Sequence, residues 1–451
     1  MTENKMGVMS EGRLLLSMSV PAMLSMLIQA FYNVIDSIFV AQLGEDALTA
    51  ISLVFPVQML LIAVGVGTGV GINSLIARRL GERDIESAND AATHGFILAV
   101  GNWIIFAIFG LFFVRSFLSA FSDSPAVIEY GVQYLSIITV FSLFLMIQLT
   151  IEKILQATGN MILPMICSLI GAVVKIILNP VLVFGLLGAP ELGISGAAIA
   201  TVTGNLITMT LGLILLFGRT HDVSIRFKGL RIKARTLKDI YIVGVPAIAI
   251  QSIASVMVAG LNVILIEYSQ AAVAVLGVYF RLQNFVFMPV FGMMQGAMPI
   301  FGYNFGAKRK DRLVRSFKWT TLFAASLMLA GTVIFLIFPG AFMELFNASE
   351  EMMAIGVRAL RVLSLCFVPA AFGITNSTFF QALGHGLLSL LVSLLRQLIL
   401  ILPLAWVLGH FFGLDAIWFA FPMAEGLAII ASAWLLYYLY KKEIKDLKEQ
   451  P

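Results

Sequence analysis

An acidic side chain lies inside the first long apolar stretch of the chain, which runs from about residue 14 to residue 40. It belongs to a set of polar residues at helical spacing: Gln29, Tyr32, Asn33 and Asp36. On a helix this spacing makes one polar stripe, which cannot face lipid. Because an ionisable group within a membrane-spanning helix is costly, Asp36 is a candidate functional residue. The alternative is that Asp36 only joins helices through a hydrogen bond.

A lysine lies in the middle of the fifth apolar stretch. Lys175 is roughly a dozen residues from either end of that stretch, too far for its ammonium group to reach the interface. Ser168, Lys175 and Asn179 share one helix face, which ends at Pro180. Since isolated charges inside a membrane are costly, we expect Lys175 to pair with Asp36. With Asn179 this pair forms the predicted coupling-ion site, in which two protonation states of similar free energy would act as a proton switch.

Further polar residues within the apolar stretches are interpreted, together with the first-helix stripe, as the lining of a polar chamber that binds a substrate. They are Thr201 and Asn205 in the sixth stretch, and Arg281, Arg396 and Glu425 in the second half of the chain. Contacts between helices explain Thr201 and Asn205 equally well. Glu425 and the two arginines are explained equally well by a structural ion pair between Glu425 and one of the arginines and by substrate binding. The excess of arginine in this half is a clue to the charge of the substrate.

The composition is that of a chain with a hydrophobic exterior. Apolar residues make up 60% of the 451 residues and charged residues 12%, with a mean hydropathy of +0.97. These values indicate a polytopic membrane protein. Repeated apolar runs of about 20 or more residues predict helices, whereas the short alternating strands of a β-barrel are absent from the sequence. The predicted fold class is therefore all-α, with twelve transmembrane helices.

Glycine, proline and charged residues separate the twelve predicted helices. These lie near residues 14–40, 47–76, 92–114, 126–156, 161–187, 193–217, 240–267, 271–301, 315–338, 352–380, 387–409 and 414–440. Pro21 removes a hydrogen bond from the first helix, and Pro246 does the same in the seventh. We interpret Pro21 as a hinge, about four turns before Asp36.

The segments that connect these helices alternate in charge. Basic clusters lie near residues 78–83, 219–238, 308–312 and 441–448, and acidic residues lie in the intervening loops near 45–46, 123, 191, 267 and 344–351. Because Lys and Arg mark cytoplasmic loops, the basic side is predicted to be cytoplasmic and to hold both termini. The basic clusters also fit contacts with anionic lipid, and we expect no nucleic-acid partner.

The chain matches itself at an offset of 225 residues: Val20-Pro21-Ala22 meets Val245-Pro246-Ala247, and Gln156 meets Gln381. This indicates a duplication with six helices in each copy, and hence two parallel-repeat six-helix bundles. The predicted boundaries are 1–217 for an N-terminal lobe, 218–239 for a basic cytoplasmic linker that acts as a passive tether, and 240–451 for a C-terminal lobe.

The sequence carries no pattern typical of an enzyme or of an ATP-driven pump. It has no GxxxxGK[ST] phosphate-binding loop, and no loop long enough for a nucleotide-binding domain. The four histidines are scattered at helix ends or in a loop, and the two cysteines lie in apolar stretches. We therefore expect no catalytic residues, no metal, no disulfide and no cofactor. Transport by such a chain would be driven by an ion gradient.

Several of these patterns together resemble the multidrug and toxic compound extrusion (MATE) transporters. They are Tyr32-Asn33-x-x-Asp36, Gly44-x-x-Ala47-Leu48, Gly81 with basic flanks, Gln-Ala-x-Gly at 156 and 381, and Asn179-Pro180. The resemblance covers nearly the whole chain, and residues 381–425 look most like the bacterial branch that includes a staphylococcal multidrug exporter. It implies a V-shaped pair of six-helix bundles and antiport of organic cations against protons or sodium ions. It also places Asp36 at the acidic position tied to cation coupling.

The expected function is that of a secondary active transporter in the cell membrane, which exports small amphipathic compounds by alternating access between two lobes. MATE proteins often carry Asn and Asp in the fifth helix where this chain has Lys175 and Asn179, and the change favours the proton over sodium as the coupling ion. We expect a monomer in the lipid bilayer that binds a small-molecule substrate and a proton or sodium ion. Two alternatives stay open: export of an anionic metabolite, indicated by Lys175, Arg281 and Arg396, and flipping of a lipid-linked precursor.

Overall fold

The structure is a computed structural model that describes residues 4–218, 222–226 and 232–447. The side chains of residues 33, 34, 36–38, 40 and 41 lie outside this description, although their backbone is helical. Within the described ranges the chain forms helices joined by short turns, and it contains no strand. The predicted all-α fold class is confirmed.

Among the described residues, ten helices are long and apolar enough to span a membrane, and two bent pairs of shorter helices bring the number of candidate spans to as many as twelve. In chain order these are α1 (Glu11–Ala41), α2 (Glu45–Gly81), α3 (Ile85–Phe112), α4 (Pro125–Val140 with Leu143–Ala157), α5 (Ile162–Phe184), α6 (Gly193–Gly218), α7 (Ala234–Ile266), α8 (Gln270–Gly306), α9 (Lys310–Ile337), α10 (Glu350–Ser364 with Phe367–Ala382), α11 (Gly386–Phe412) and α12 (Leu414–Ile444).

Helix ends differ from the prediction where a polar first turn precedes the apolar run. The third helix was predicted to begin near residue 92, but α3 begins at Ile85. Asp84 caps it, because the Asp84 carboxylate accepts a hydrogen bond of 3.0 Å from the backbone N–H of Ser87. Hydrogen bonds from the Ser87 side chain and, to a lesser extent, from the Ser87 backbone lower the pKa of Asp84 from its ordinary value. Hydropathy detects the part of α3 that is apolar, and the cap determines where the helix starts.

Two of the spans are bent at matching positions of the repeat. The halves of α4 meet at 45° across Phe141 and Ser142, and those of α10 meet at 48° across Leu365 and Cys366. At each break a side chain donates to a backbone carbonyl three residues earlier: Ser142 to Thr139 (2.7 Å) and Cys366 to Leu363 (2.9 Å). Such bonds compete with the helical ladder and bend it. The shared break is an additional sign of duplication.

The chain folds into two compact units, one made of Met1–Met23 and Val245–Pro451, the other of Leu24–Gly244. Each boundary falls inside a long helix and close to a proline, Pro21 in α1 and Pro246 in α7. Both prolines lie within continuous helices. The hinge role of Pro21 and the lobe boundaries drawn from the sequence stay predictions.

Each unit contains a close approach between two helices at a glycine. In one unit, a Cβ on Gly71 of α2 would overlap the carbonyl oxygen of Ile240 in α7. In the other, a Cβ on Gly296 of α8 would lie 2.9 Å from backbone atoms of Met18 and Ser19 in α1. Gly71 and Gly296 are repeat partners, so the duplicated unit itself requires a small residue at this contact.

Replacing Gly71 with alanine is expected to destabilise the protein by about 1–3 kcal/mol, the usual cost of overpacking, because the neighbouring atom is rigid backbone. Gly101→Ala in α3 is the matched control, since a Cβ there meets no atom within 4 Å. The control should be neutral or stabilising by up to about 1 kcal/mol through helix propensity. Thermal unfolding of both variants in detergent measures the difference. Equal midpoints for the two would contradict the close contact at Gly71.

Part of the predicted linker is bound to α3. Three of its backbone N–H groups donate to α3 side chains: Ser224 to Asn89 Oδ1 (2.6 Å), Arg226 to Thr93 Oγ1 (3.1 Å) and Lys233 to His94 Nε2 (2.9 Å). The Lys233 ammonium group also donates to the Asp90 carboxylate, which raises the pKa of Lys233. Over the described residues 222–226 and 232–233 the segment is therefore docked, and the expectation of a passive tether does not hold there.

Candidate functional site

Three side chains from α1, α5 and α6 meet in the unit that contains Leu24–Gly244. The ammonium nitrogen of Lys175 lies 5.0 Å from the centre of the Tyr32 ring, within the range of a cation–π interaction. The Tyr32 hydroxyl and the Thr201 hydroxyl are 3.0 Å apart and share a hydrogen bond. Tyr32 therefore contacts a cation with its ring and a hydroxyl with its polar end. The sequence assigned Lys175 to the predicted coupling-ion site and Tyr32 and Thr201 to the predicted polar chamber, and the structure places the three side chains next to one another.

Small residues make room for the lysine between α5 and α6. The Lys175 side chain lies against Gly204, where a Cβ would overlap its methylene groups. One turn further along, the Thr208 side chain occupies the space above Gly171 in the same way. Because both glycines lack a side chain, the two helices pack closely around a long polar residue. The hydrocarbon part of Lys175 is thus held in place, and its charge is directed towards Tyr32.

The other first-lobe candidates divide into buried and exposed residues. Asn179 and Asn205 are buried, and the Asn205 Oδ1 atom has no hydrogen-bond partner among the described residues. Gln29 is exposed and makes no described hydrogen bond. The side chains of Asn33 and Asp36 lie outside the described part of the structure. The pairing of Asp36 with Lys175 therefore stays a prediction.

The second half of the chain contains a buried ion pair. The Arg396 Nη1 atom lies 3.4 Å from both carboxylate oxygens of Glu425, joining α11 to α12. The Glu425 side chain is 7% exposed and the Arg396 side chain 23% exposed. Of the two arginines that the sequence offered as partners for Glu425, the structure selects Arg396. Arg281 is exposed in α8 and has no hydrogen-bond or ion-pair partner among the described residues.

Arg396 lies in an irregular turn of α11. Residues Leu395–Leu400 form a π-helical turn, which is wider than an α-helical turn. Such turns occur mostly as local bulges and often at functional sites. Leu400, the repeat partner of Lys175, is the last residue of this turn, whereas α5 is α-helical at Lys175. The two copies of the repeat therefore place their charged groups differently.

Aromatic rings and a glycine surround the ion pair. Tyr279 of α8 is fully buried, with its ring centre 6.0 Å from that of Phe421, one turn before Glu425. A Cβ on Gly373 of α10 would lie 3.3 Å from a Glu425 carboxylate oxygen. An apolar environment of this kind strengthens the attraction between the two charges and makes either charge costly without the other.

The sequence analysis missed a second charged cluster in the Leu24–Gly244 unit, at Glu152 and Lys153 in the second half of α4. The Lys153 side chain is 6% exposed and that of Glu152 is 20% exposed, with 3.9 Å between the Lys153 Nζ and Glu152 Oε1 atoms. The signal was present as two adjacent charges near the end of an apolar run. It was passed over because charges near the end of a span usually reach the interface.

Comparison with known proteins shows similarity along nearly the whole chain. The MatE family model matches residues 21–181 and 246–407. The multidrug export protein MepA of Staphylococcus haemolyticus (strain JCSC1435) is 25% identical, over 95% of this chain and 94% of MepA.

Two solved structures illustrate the shared fold. A MOP superfamily transporter from Pyrococcus furiosus Vc1 (DSM3638), described as having a binding pocket of reverse polarity that suggests a different function, is 27% identical over 98% of this chain and 99% of its own, with a TM-score of 0.91. A multidrug resistance MATE family transporter of the MOP superfamily, in an outward-facing conformation, is 26% identical over 100% of this chain and 99% of its own, with a TM-score of 0.89.

Proposed function

This chain belongs to the MatE family, and from that premise we propose that it is a secondary active transporter that exports small amphipathic compounds in exchange for a cation, with the proton as the coupling ion. The observation that carries the proposal is the cluster of Lys175, Tyr32 and Thr201, which come from three spanning helices. Tyr32 lies on the same helix α1 as Asp36. A charged side chain held within a span is costly and is kept for function. An exchange reaction needs no catalytic residues, and the proposal includes no enzymatic activity.

Export by alternating access is supported by features that would let the helices move. Pro21 and Pro246 each remove a hydrogen bond from a long helix, and the halves of α4 and α10 meet at an angle. We infer drug export from the similarity to the multidrug export protein MepA. We infer an outward-facing state from the similarity to the MATE transporter that was solved in that conformation. We further propose that the chain acts as a monomer in the cell membrane with both termini in the cytoplasm.

The proton is proposed over sodium because a lysine occupies the middle of α5. A sodium site needs several oxygen ligands and is weakened by a nearby ammonium group. The Lys175 ammonium group lies over the ring of Tyr32. Tyr32 is one turn before Asp36 on helix α1. A carboxylate beside a lysine can take up and release a proton while the lysine changes partner, which couples protonation to a rearrangement of side chains.

A second candidate function is the export of an organic anion. The observation that favours it is the exposed Arg281 in the spanning helix α8, because an arginine there is expected to face water or a substrate and to avoid lipid. The reversed pocket polarity described for the Pyrococcus furiosus relative is consistent with this candidate.

Uptake into inside-out vesicles distinguishes the two functions. Vesicles that contain the chain are expected to accumulate the cationic dye ethidium when an acidic interior is imposed, and vesicles without it are not. The same vesicles are tested with the organic anion calcein, under proton and sodium gradients in turn. Accumulation of ethidium under a sodium gradient alone would show that sodium, and not the proton, is the coupling ion. Transport of calcein with no transport of ethidium would replace the first function by the second.

A further inference from the structure

The charged cluster at Glu152 and Lys153 is built as an ion pair bridged by an amide. The Lys153 ammonium donates to the Gln156 Oε1 atom at 2.9 Å, and the Gln156 Nε2 atom donates to the Glu152 Oε1 atom at 2.8 Å. The orientation of the amide suits a positive lysine on one side and a negative carboxylate on the other. Glu152 is therefore held as an acceptor by a fixed neighbouring charge.

The lysine is held on its other side by α2. A Cβ on Gly69 would lie 2.6 Å from the Lys153 Cγ atom, and the Asn73 side chain donates to the Lys153 carbonyl at 3.2 Å. These contacts keep Lys153 buried while Glu152 is partly exposed. The two members of the pair thus differ: Lys153 is a buried, fixed counter-charge, and Glu152 is partly exposed and lines a cavity.

A small cavity lies beside the carboxylate. It has a volume of about 10 Å³, and its polar lining consists of Gln148, Glu152, Ser168 and Thr208. A cavity of this size has room for about one water molecule, provided that polar partners are present. The Gln148 Oε1 atom is buried and has no hydrogen-bond partner among the described residues, so a water at this position would satisfy it.

The cavity and the Lys175 cluster lie along the same groove between α5 and α6. Thr208, which lines the cavity, packs on Gly171, and the next turn of the groove holds Lys175 against Gly204. Ser168 and Lys175 are separated by about 10 Å along α5, from the helical rise. Glu152 is only about 8 Å from the end of α4 at Ala157, which the charge pattern places on the cytoplasmic side.

The repeat provides an internal comparison. At the offset of 225 residues, Gln156 has its counterpart in Gln381, but Glu152 and Lys153 are replaced by Ser377 and Thr378. Gln381 donates to the Ser389 hydroxyl at 3.0 Å, so packing at this point of the fold needs the glutamine and no charge. The charge pair is thus confined to the copy that also carries Asp36 and Lys175.

We propose that Glu152 is the carboxylate through which the first lobe releases protons to the cytoplasm. The last steps of this release pass through the cavity: a proton that has left Asp36 moves from a water beside Gln148, Ser168 and Thr208 to the Glu152 carboxylate, and then to bulk water. One proton enters and one leaves, and Lys153 keeps its charge throughout. The proposal rests on proton coupling as proposed above.

The groups that can influence this step are few within the described ranges. Lys153 on the same helix is the only charged side chain described in contact with Glu152. From α5 the cavity receives the Cys167 thiol and the Ser168 hydroxyl, and from α6 it receives Thr208 and Gly212. A change in the pH dependence of transport on replacing Glu152 is therefore attributable to this carboxylate.

The test compares Glu152→Gln with Glu191→Gln, an exposed glutamate between α5 and α6, in the full chain reconstituted into liposomes. Ethidium-coupled proton flux should fall about 10-fold or more in the Glu152 variant and lose its dependence on the pH of the cytoplasmic side, while the control stays at the wild-type rate. A second readout is proton release by the purified protein after a pH jump, reported by the dye pyranine, which should slow by a similar factor.

Wild-type rates in both readouts would overturn the proposal. If the wild-type protein moves no ethidium under any gradient, the proposed function fails, and the pH-jump readout still decides whether Glu152 carries protons. If Glu152→Gln does not fold, Ser168→Ala and Thr208→Val remove the hydroxyl groups of the cavity with little change of shape. Slower proton release in these variants supports the route, and unchanged release contradicts it.

Discussion

Replacing Asp36 with asparagine is expected to abolish proton-driven export while the protein stays folded and in the membrane. The amide can still accept and donate hydrogen bonds, but it cannot bind and release a proton in the range of an exchange cycle. Any structural role of Asp36 in joining α1 to its neighbours is thereby retained, and only titration is lost. The measurement is ethidium uptake into inside-out vesicles with an imposed pH gradient.

The matched control is Asp46→Asn, the same chemical change at an exposed residue in the first turn of α2. It should transport at the wild-type rate. Size-exclusion profiles and the amount of protein in the membrane show whether each variant is folded. Transport by Asp36→Asn at the wild-type rate, with unchanged pH dependence, would make the carboxylate purely structural and direct the search for the coupling site to Glu425.

The helices were predictable because a bilayer imposes one simple requirement. A span needs about 20 apolar residues with its backbone hydrogen bonds made internally, and both properties can be recognised from local sequence. The duplication was predictable for the same reason, since Pro21 and Gly71 recur at Pro246 and Gly296.

Features that depend on single side-chain contacts were not predictable from hydropathy. The bends at Ser142 and Cys366 arise from hydrogen bonds to carbonyl groups three residues earlier, and a serine or cysteine makes such bonds in only some helices. The wide turn at Leu395–Leu400 lies within a run of apolar residues that would suit a regular helix. Hydropathy averages over many residues and therefore passes over such local departures.

The sequence predicted which residues belong to the candidate site better than it predicted the contacts between them. Helical spacing placed Tyr32, Lys175 and Thr201 on polar faces, and the structure joins them through a ring and a hydroxyl. Spacing did not distinguish Arg281 from Arg396 as the partner of Glu425, because that choice depends on how each helix is rotated in its bundle. Glu152 and Lys153 were missed because charges near the end of a span usually reach the interface.

Breaking the ion pair of Arg396 and Glu425 is expected to destabilise the protein. Arg396→Met is expected to destabilise the protein by about 3–5 kcal/mol, because it leaves a buried carboxylate without its counter-charge. Glu425→Gln should cost less, since the arginine that remains is 23% exposed and can be partly hydrated. The double variant removes both charges and should recover most of the loss, because replacing a buried ion pair with uncharged residues of similar size is often nearly neutral.

Thermal unfolding of the three variants in detergent, analysed as a double-mutant cycle, measures the coupling between the two side chains. Purely additive losses would show that Arg396 and Glu425 do not interact, despite the 3.4 Å separation. Ethidium uptake by the double variant then separates structure from function. If stability recovers and transport persists, the pair serves only to hold α11 against α12. If stability recovers and transport is lost, at least one of the two charges takes part in the transport cycle. Ethidium uptake by the single variant that folds better then shows which of the two charges is needed.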